Sequence, residues 1–216
     1  MASAYLSRTP SSNGNRKTWT FSAWCKVQKD SNETIFDVGT NGGNNYTPFF
    51  FQNDQAIRLY EVVGGSLQSY NLITNRKFRD RNAWYHLVYR VDTTQSTSSD
   101  RIRLYVNGVQ ETSFSTAAYP AQNYDTLKNS TSYANVLGVA ADNYGANFYD
   151  GMMAHVHFCD GQSYAPTVFG ETDATTGIWK PKTAPSVNYG TNGFFLRFDN
   201  SANMGLDSSG QGNNFS

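Results

Sequence analysis

The sequence predicts an all-β protein, an antiparallel β-sandwich. Three observations carry this. Apolar residues recur with a period of two, as in Arg101-Ile102-Arg103-Leu104-Tyr105-Val106, which is the spacing of a half-buried strand rather than a helix. Aromatic residues make up 15% of the chain, with 14 Tyr and 14 Phe, and such residues favour pleated surfaces. Asn and Gly punctuate the apolar runs and supply turns. No stretch carries an amphipathic helical pattern; at most one helical turn fits near Pro166–Gly170. The 216 residues suit one large domain over 1–216 and suffice for a sandwich core.

The elements follow in order. Residues 3–9 form a short first strand, and 10–17 a turn-rich loop. In 18–27, Phe21, Ala23, Cys25 and Val27 share one face. Residues 33–38 are a third strand, closed by a polar, glycine-rich loop over 39–45. Residues 46–52 and 56–63 make a hairpin, and 67–74 and 83–92 continue the meander. After the solvated loop 93–100, strand 101–106 runs into Asn107-Gly108, a strong hairpin signal, and 109–114 returns. Residues 116–132 read as a long irregular loop. Strands 134–140 and 148–159 flank the loop 141–147.

Within 152–159, Met152, Ala154, Val156 and Phe158 share one face, which leaves His155, His157 and Cys159 on the other. Paired strands put matching faces on the same side of a sheet. Cys25 is therefore expected to be buried and Cys159 to be exposed or on the opposite side, so two free thiols are expected. Residues 171–188, which include Pro181 and Pro185, read as an irregular crossing segment.

The ordered series Trp19-Thr20-Phe21-Ser22-Ala23-Trp24-Cys25-Lys26, Trp84-Tyr85-His86-Leu87-Val88, Leu104-Tyr105-Val106-Asn107-Gly108 and Phe148-Tyr149-Asp150-Gly151 resembles the laminin-G-like branch of the concanavalin A-like lectin/glucanase superfamily. The resemblance covers a core over 4–170. It implies an antiparallel jelly-roll β-sandwich; function must be argued from the site. Gly193 to Asp199 and Asp207 to Asn214 are similar to text that usually opens this domain. Two readings stay open for 189–216: a closing strand in a circularly permuted fold, or the start of a further repeat. The text FGETDATTGIWKPK and YGTNGFFLRF resembles virion-surface and tail-fibre proteins of marine tailed phages, which implies a virion-surface, extracellular setting.

Charge narrows the partners. The chain has 17 basic and 17 acidic residues and no formal net charge, so a nucleic acid or an anionic membrane is not an expected partner. No apolar run approaches the ~20 residues of a membrane helix, and the N-terminus lacks the apolar region of a signal peptide. The expected partners are host surface carbohydrate or other virion proteins, with a homo-oligomer or assembly component as the expected state.

Four chemistries are candidates. Retaining glycoside hydrolysis needs two carboxyls about 5–5.5 Å apart, which the glucanase branch supplies as E-x-D-x-x-E. Here Glu171-Thr172-Asp173 starts that pattern, but Thr176 stands where the last Glu belongs, so no enzyme is expected. His155, His157 and Cys159 alternate on one strand, with His86 on another. Ligands from one strand lie ~6.5 Å apart per two residues, which suits zinc poorly. The resemblance implies a rim calcium, for which Asp199 and Asp207 supply hard oxygen ligands; the alternative there is an Asx turn. Finally, Asp37, Asn44 and Tyr46 in one loop region and Asp142, Asn143 and Tyr144 in another pair amides and carboxylates with aromatic rings. Such groups suit a sugar, whose C–H face stacks and whose hydroxyls need polar partners. Loops on a rigid scaffold are where binding residues usually sit.

Overall fold

The computed structural model describes residues 4–216, with Gln68 and Ser69 described by backbone alone. In chain order the strands are β1 (Leu6–Arg8), β2 (Thr18–Lys26), β3 (Glu33–Gly39), β4 (Phe49–Phe51), β5 (Ile57–Val63), β6 (Ser66–Thr74), β7 (Tyr85–Asp92) and β8 (Ile102–Val106). They continue with β9 (Val109–Glu111), β10 (Phe114–Ala118), β11 (Ala134–Leu137), β12 (Met152–Asp160), β13 (Gly170–Thr172), β14 (Trp179–Pro181) and β15 (Phe194–Leu196). Helix is confined, among the described residues, to single 3-10 turns at Ser98–Asp100 and Pro166–Val168.

Two antiparallel sheets face each other as a sandwich. One has the order β1-β11-β3-β4-β5-β6-β10 and the other β15-β12-β2-β7-β8-β9. The alternation seen in the sequence sets which side chains meet between them. Phe21 of β2 stacks on Phe36 of β3, with ring centroids 4.6 Å apart. Trp19, Phe49, Phe51, Tyr89, Phe158 and Phe194 are buried in the same cluster. Each such side chain stabilises the fold by roughly 1.5–3 kcal/mol. One cation is buried with them: Lys128 Nζ lies 4.4 Å from the Phe36 ring and donates to the Thr47 carbonyl at 2.9 Å. Burial lowers its pKa to about 8.

Four expectations need correction. First, β12 does not keep strict alternation. Its register against β2 shifts between Ala154 and His157, and His155 there has φ of 47°. This is a β-bulge, which turns the strand and moves its pattern to the other face. Met153 therefore packs on the core, while Met152 is 57% exposed. Second, Cys159 and His157 do lie on the face opposite Phe158, yet both are buried. Both cysteines are free. Third, the return strand after Asn107-Gly108 breaks. β9 stays with β8, while β10 crosses to pair with β6 in the other sheet, so residues 116–118 are strand rather than loop. Fourth, residues 171–188 are not irregular throughout: β13 and β14 pair as a small hairpin.

That hairpin belongs to a covering layer. Residues from Tyr164 to Tyr189 lie over the outer face of the six-stranded sheet, where Val88, Tyr105, Cys159, Phe169, Tyr189 and Phe195 form a second buried cluster. His157 is held in it. Its ring stacks on Phe195 at 4.0 Å, and its Nδ1 bonds the Tyr189 hydroxyl at 2.9 Å. Further on, β15 pairs with β12, Phe194 and Phe215 enter the main core, and the Ser216 and Ser7 backbones bond each other in both directions.

Candidate functional site

Among the described residues, the outer face of the seven-stranded sheet is covered at β11, where Val136, Val139 and Ala141 form a small buried cluster, and is more open over β4 and β5. Pleating explains what it presents. With Phe49, Phe51, Ile57 and Leu59 turned into the core, their alternating neighbours Phe50, Arg58 and Tyr60 point outward. The register pairs Phe50 with Arg58 and Phe49 with Leu59. Tyr60 is the centre of an aromatic group. It meets Tyr46 edge-on at 6.1 Å and Phe50 edge-on at 6.0 Å. The Arg58 guanidinium lies 4.3 Å from the Tyr60 centroid, and its Nε donates to Asn71 Oδ1 at 2.9 Å. The rings are thus held by a rigid sheet and by a stacked cation.

Two loops wall this surface, and Asp37 ties them together. Its Oδ1 accepts the backbone N–H groups of Val38 at 2.7 Å and Thr47 at 3.0 Å. Its Oδ2 accepts from Ala141 N–H at 2.9 Å. Burial pushes its pKa up to about 7. The loops also meet directly: Gly42 N–H donates to the Asp142 carbonyl at 2.7 Å, and Tyr144 N–H to Asn41 Oδ1 at 3.2 Å. Gly39 is needed where the first loop closes on itself and meets the second: a Cβ there would stand 2.8 Å from the Asn45 carbonyl and 3.1 Å from Ala141 Cβ.

The result is a cleft of about 140 Å³ lined by Asn32, Thr34, Asp37, Tyr46, Pro48, Phe50, Gln52, Arg58, Tyr60, Ala140, Asp142 and Asn147. It combines aromatic faces with amides, two carboxyl groups and a guanidinium. Tyr46 stays protonated well past neutrality, because burial and then the Asp142 charge raise its pKa. Burial raises that of Tyr60 further. The two hydroxyls interact with each other, so as a pair they keep one donor for a ligand. The volume is well below the ~300–1,000 Å³ of pockets for drug-sized ligands, which suits one small ring rather than a large planar cofactor.

Of the residues singled out in the sequence, Asp37, Tyr46 and Asp142 come together in this cleft. Asn44, Asn143 and Tyr144 do not line it. Asn44 is exposed and its carbonyl receives Gly65 N–H at 2.9 Å. Asn143 Oδ1 caps Gly145 N–H at 2.9 Å. Tyr144 lies against Tyr5, with centroids 5.0 Å apart. Arg58, Tyr60 and Phe50 were missed. Their signal was present in the alternation Ile57-Arg58-Leu59-Tyr60, which sets Arg58 and Tyr60 on one outward face.

The proposed calcium ligands do not fit a metal. Asp207 accepts from Phe195 N–H, Ser209 N–H, Ser209 Oγ and Asn213 N–H at 2.8–2.9 Å, so its lone pairs are already used in an Asx-type turn. The Arg8 guanidinium acts on it electrostatically, which opposes a further cation. Asp199 is exposed and lies 3.8 Å from Arg197. Among the described residues no group of three or more His, Cys, Asp or Glu could hold a metal. Glu171 and Asp173 sit on the exposed hairpin, both paired with Lys180, at 3.9 and 2.8 Å. The Lys180 ammonium holds the Asp173 carboxyl well below the usual carboxylate range. These are the groups of a surface ion pair, not an acid and a nucleophile facing a bond.

The family model Laminin_G_3, described as concanavalin A-like lectin/glucanases superfamily, matches residues 2–168. No curated protein sequence matches the chain. Among solved structures, the chain is similar to the heptameric SAP-like pentraxin of Limulus polyphemus, at 14% identity and a TM-score of 0.51, covering 83% of this chain and 86% of that one. Domain 4 of the extracellular arabinanase AbnA of Geobacillus stearothermophilus, in complex with arabinotriose, is 18% identical with a TM-score of 0.54, over 77% and 71%. The CBM40 of the Ruminococcus gnavus IT-sialidase, bound to α2,3-sialyllactose, is 12% identical with a TM-score of 0.52, over 77% and 96%. At these identities the likeness is one of fold.

Proposed function

The chain belongs to the Laminin_G_3 family of the concanavalin A-like lectin/glucanases superfamily, and from that premise we propose that it is a non-enzymatic binding module for a host-surface glycan, carried on a virion surface. The observation that carries the glycan reading is the open cleft in which Tyr46, Tyr60 and Phe50 stand beside Asp142, Asn147 and Arg58. A sugar needs both an apolar plane and polar groups that reach its hydroxyls, and this cleft offers both on rigid strands. Two of the similar folds carry bound sugars in their structures, which supports the choice of ligand class. The virion setting rests on the resemblance of residues 169–198 to tail-fibre text. Binding rather than hydrolysis is supported by Asp37, which has three N–H donors on its two oxygens and acts as a loop tie.

A glycan array probed with the purified protein tests the reading. Binding to a defined set of glycans is expected, weakened at least tenfold by Tyr60→Ala with the melting temperature nearly unchanged. Tenfold corresponds to about 1.4 kcal/mol. An array without hits, together with capture of the chain by a capsid or tail protein, would leave a structural virion protein as the better reading.

A further inference from the structure

On the other sheet, we propose a second, independent glycan site: the groove lined by Trp24, Trp84, Ala154, His155, Ile178, Trp179 and Pro181, which takes a neutral oligosaccharide of flat, equatorially substituted pyranoses. It does not depend on the cleft beside Tyr60. The groove has a volume of about 390 Å³. Three of the chain's four tryptophans line it; the fourth, Trp19, is in the core.

Its wall is built, not incidental. Trp24 stacks on His86 at 4.9 Å with planes 13° apart, and His86 stacks on Trp179 at 6.0 Å and 25°. Trp179 Nε1 donates to His86 Nδ1 at 2.9 Å. Indole is a donor only, so His86 carries its proton on Nε2 and donates to Ser22 Oγ at 2.9 Å. Burial keeps His86 neutral, lowering its pKa to about 3. The edge of Trp179 fits against Gly108 and Gly170, where a Cβ would come within 2.8 and 2.5 Å of the indole. Trp84, 38% exposed, and Ile178, 64% exposed, form the open rim. Ile178, Trp179 and Pro181 lie beyond residues 2–168, so one wall of the groove comes from chain outside the family match.

The polar atoms select the occupant. Trp24 is 7% exposed, and its Nε1 is buried with no hydrogen-bond partner within the chain; His155 Nδ1 is in the same state. A buried donor left without a partner loses its hydration with nothing in return. His155 sits at the β12 bulge with φ of 47°, a device that re-aims a side chain. The lining contains no carboxylate or ammonium, and burial lowers the His155 pKa. Flat apolar faces with uncharged nitrogen groups and no carboxylate match a ligand that brings C–H planes and neutral hydroxyl oxygens. The nearby cations stay outside the lining: Lys26 Nζ lies 5.6 Å from the Trp84 ring, and the Arg197 charge acts on His155.

Intrinsic tryptophan fluorescence reads this groove without reading the cleft, which contains no Trp. Titration of the full chain with cellohexaose and with laminarihexaose is the test. A saturable change with at least one of them is expected, unchanged within twofold in Tyr60→Ala and weakened at least tenfold in Trp84→Ala. Trp84 lies at the rim, so circular dichroism of that variant should match the parent. No saturable change with either hexasaccharide would overturn the proposal. So would a change that persists in Trp84→Ala, or one lost in Tyr60→Ala.

Discussion

The two outer faces of this sandwich are treated in opposite ways. On the seven-stranded sheet, Arg58 and Tyr60 stand half-buried in a cleft between two cross-tied loops, with Phe50 buried at its base. On the six-stranded sheet, His86, His157 and Cys159 are buried beneath the segment that ends at Tyr189. Both faces began as alternating strands with polar residues turned outward. What separates them is the chain beyond residue 168, which lies outside the family match and adds Phe169, Trp179 and Tyr189 as a third layer. An outward residue is therefore exposed only where no later segment lies over it. Parity fixes the side of the sheet, not its contact with solvent.

The largest effect should come from removing the end of the chain. Deleting residues 189–216 takes β15 from the edge of β12 and removes Phe194, Leu196 and Phe215 from the core. At roughly 1.5–3 kcal/mol each, their loss approaches the 5–15 kcal/mol that holds a typical domain together. Insoluble or molten protein is expected. A soluble product with an unchanged melting temperature would instead favour the reading in which this stretch begins a further repeat.

Next in size is the covering layer. Trp179→Ala should cost about 3 kcal/mol, the lower end for a large aromatic truncation because Trp179 is half-buried. It should also strip His86 of its Nδ1 donor. Denaturant unfolding measures the cost. A loss below about 0.5 kcal/mol, as for an ordinary surface change, would mean that the hairpin covers little.

The buried histidines sharpen the same contrast through pH. Burial, reinforced by His155, His86 and Arg197, holds His157 well below its ordinary pKa. The unfolded chain takes up its proton near pH 6.5, whereas the folded chain does not. The stabilising contribution of neutral His157 is present above pH 6.5 and is lost as pH falls, by up to about 1.4 kcal/mol per unit. Asp37 has the opposite sign, because its folded pKa is raised to about 7; it weakens the fold as pH rises from ~4 to 7. Comparing the parent with His157→Gln cancels that carboxyl. The parent should lose stability relative to the variant between pH 6.5 and 4. Parallel stability curves would place His157 in solvent.

The smallest effect is expected at Tyr144. It packs on Tyr5 rather than in the cleft, so Tyr144→Ala should alter glycan affinity less than twofold. A tenfold loss would move the site toward the 141–147 loop.

The positions of most strands along the chain and much of the core were legible in the sequence because period-two alternation and the Asn-Gly turn are local signals. Phe21, Ala23 and Cys25 sit inward as their spacing requires. The bulge at His155 was not legible, since one residue at positive φ leaves no mark in an apolar pattern. Nor was the burial of Cys159 and His157, which depends on Phe169, Tyr189 and Phe195 arriving from elsewhere in the chain. For the cleft, loop composition pointed to Asp37, Tyr46 and Asp142, while Arg58 and Tyr60 were passed over as ordinary strand residues. Their meeting with the loops depends on the order β3-β4-β5, a feature of topology rather than of any short stretch.

The most direct test is residue-resolved mapping of the bound ligand. Nitrogen-15 amide spectra recorded with the best glycan from the array should shift at Asn32, Gln52, Arg58, Tyr60 and Asn147, and these shifts should vanish in Tyr60→Ala. Saturable shifts confined to the 199–213 rim, with the β4–β5 amides unmoved, would contradict the placement of the site on the open face.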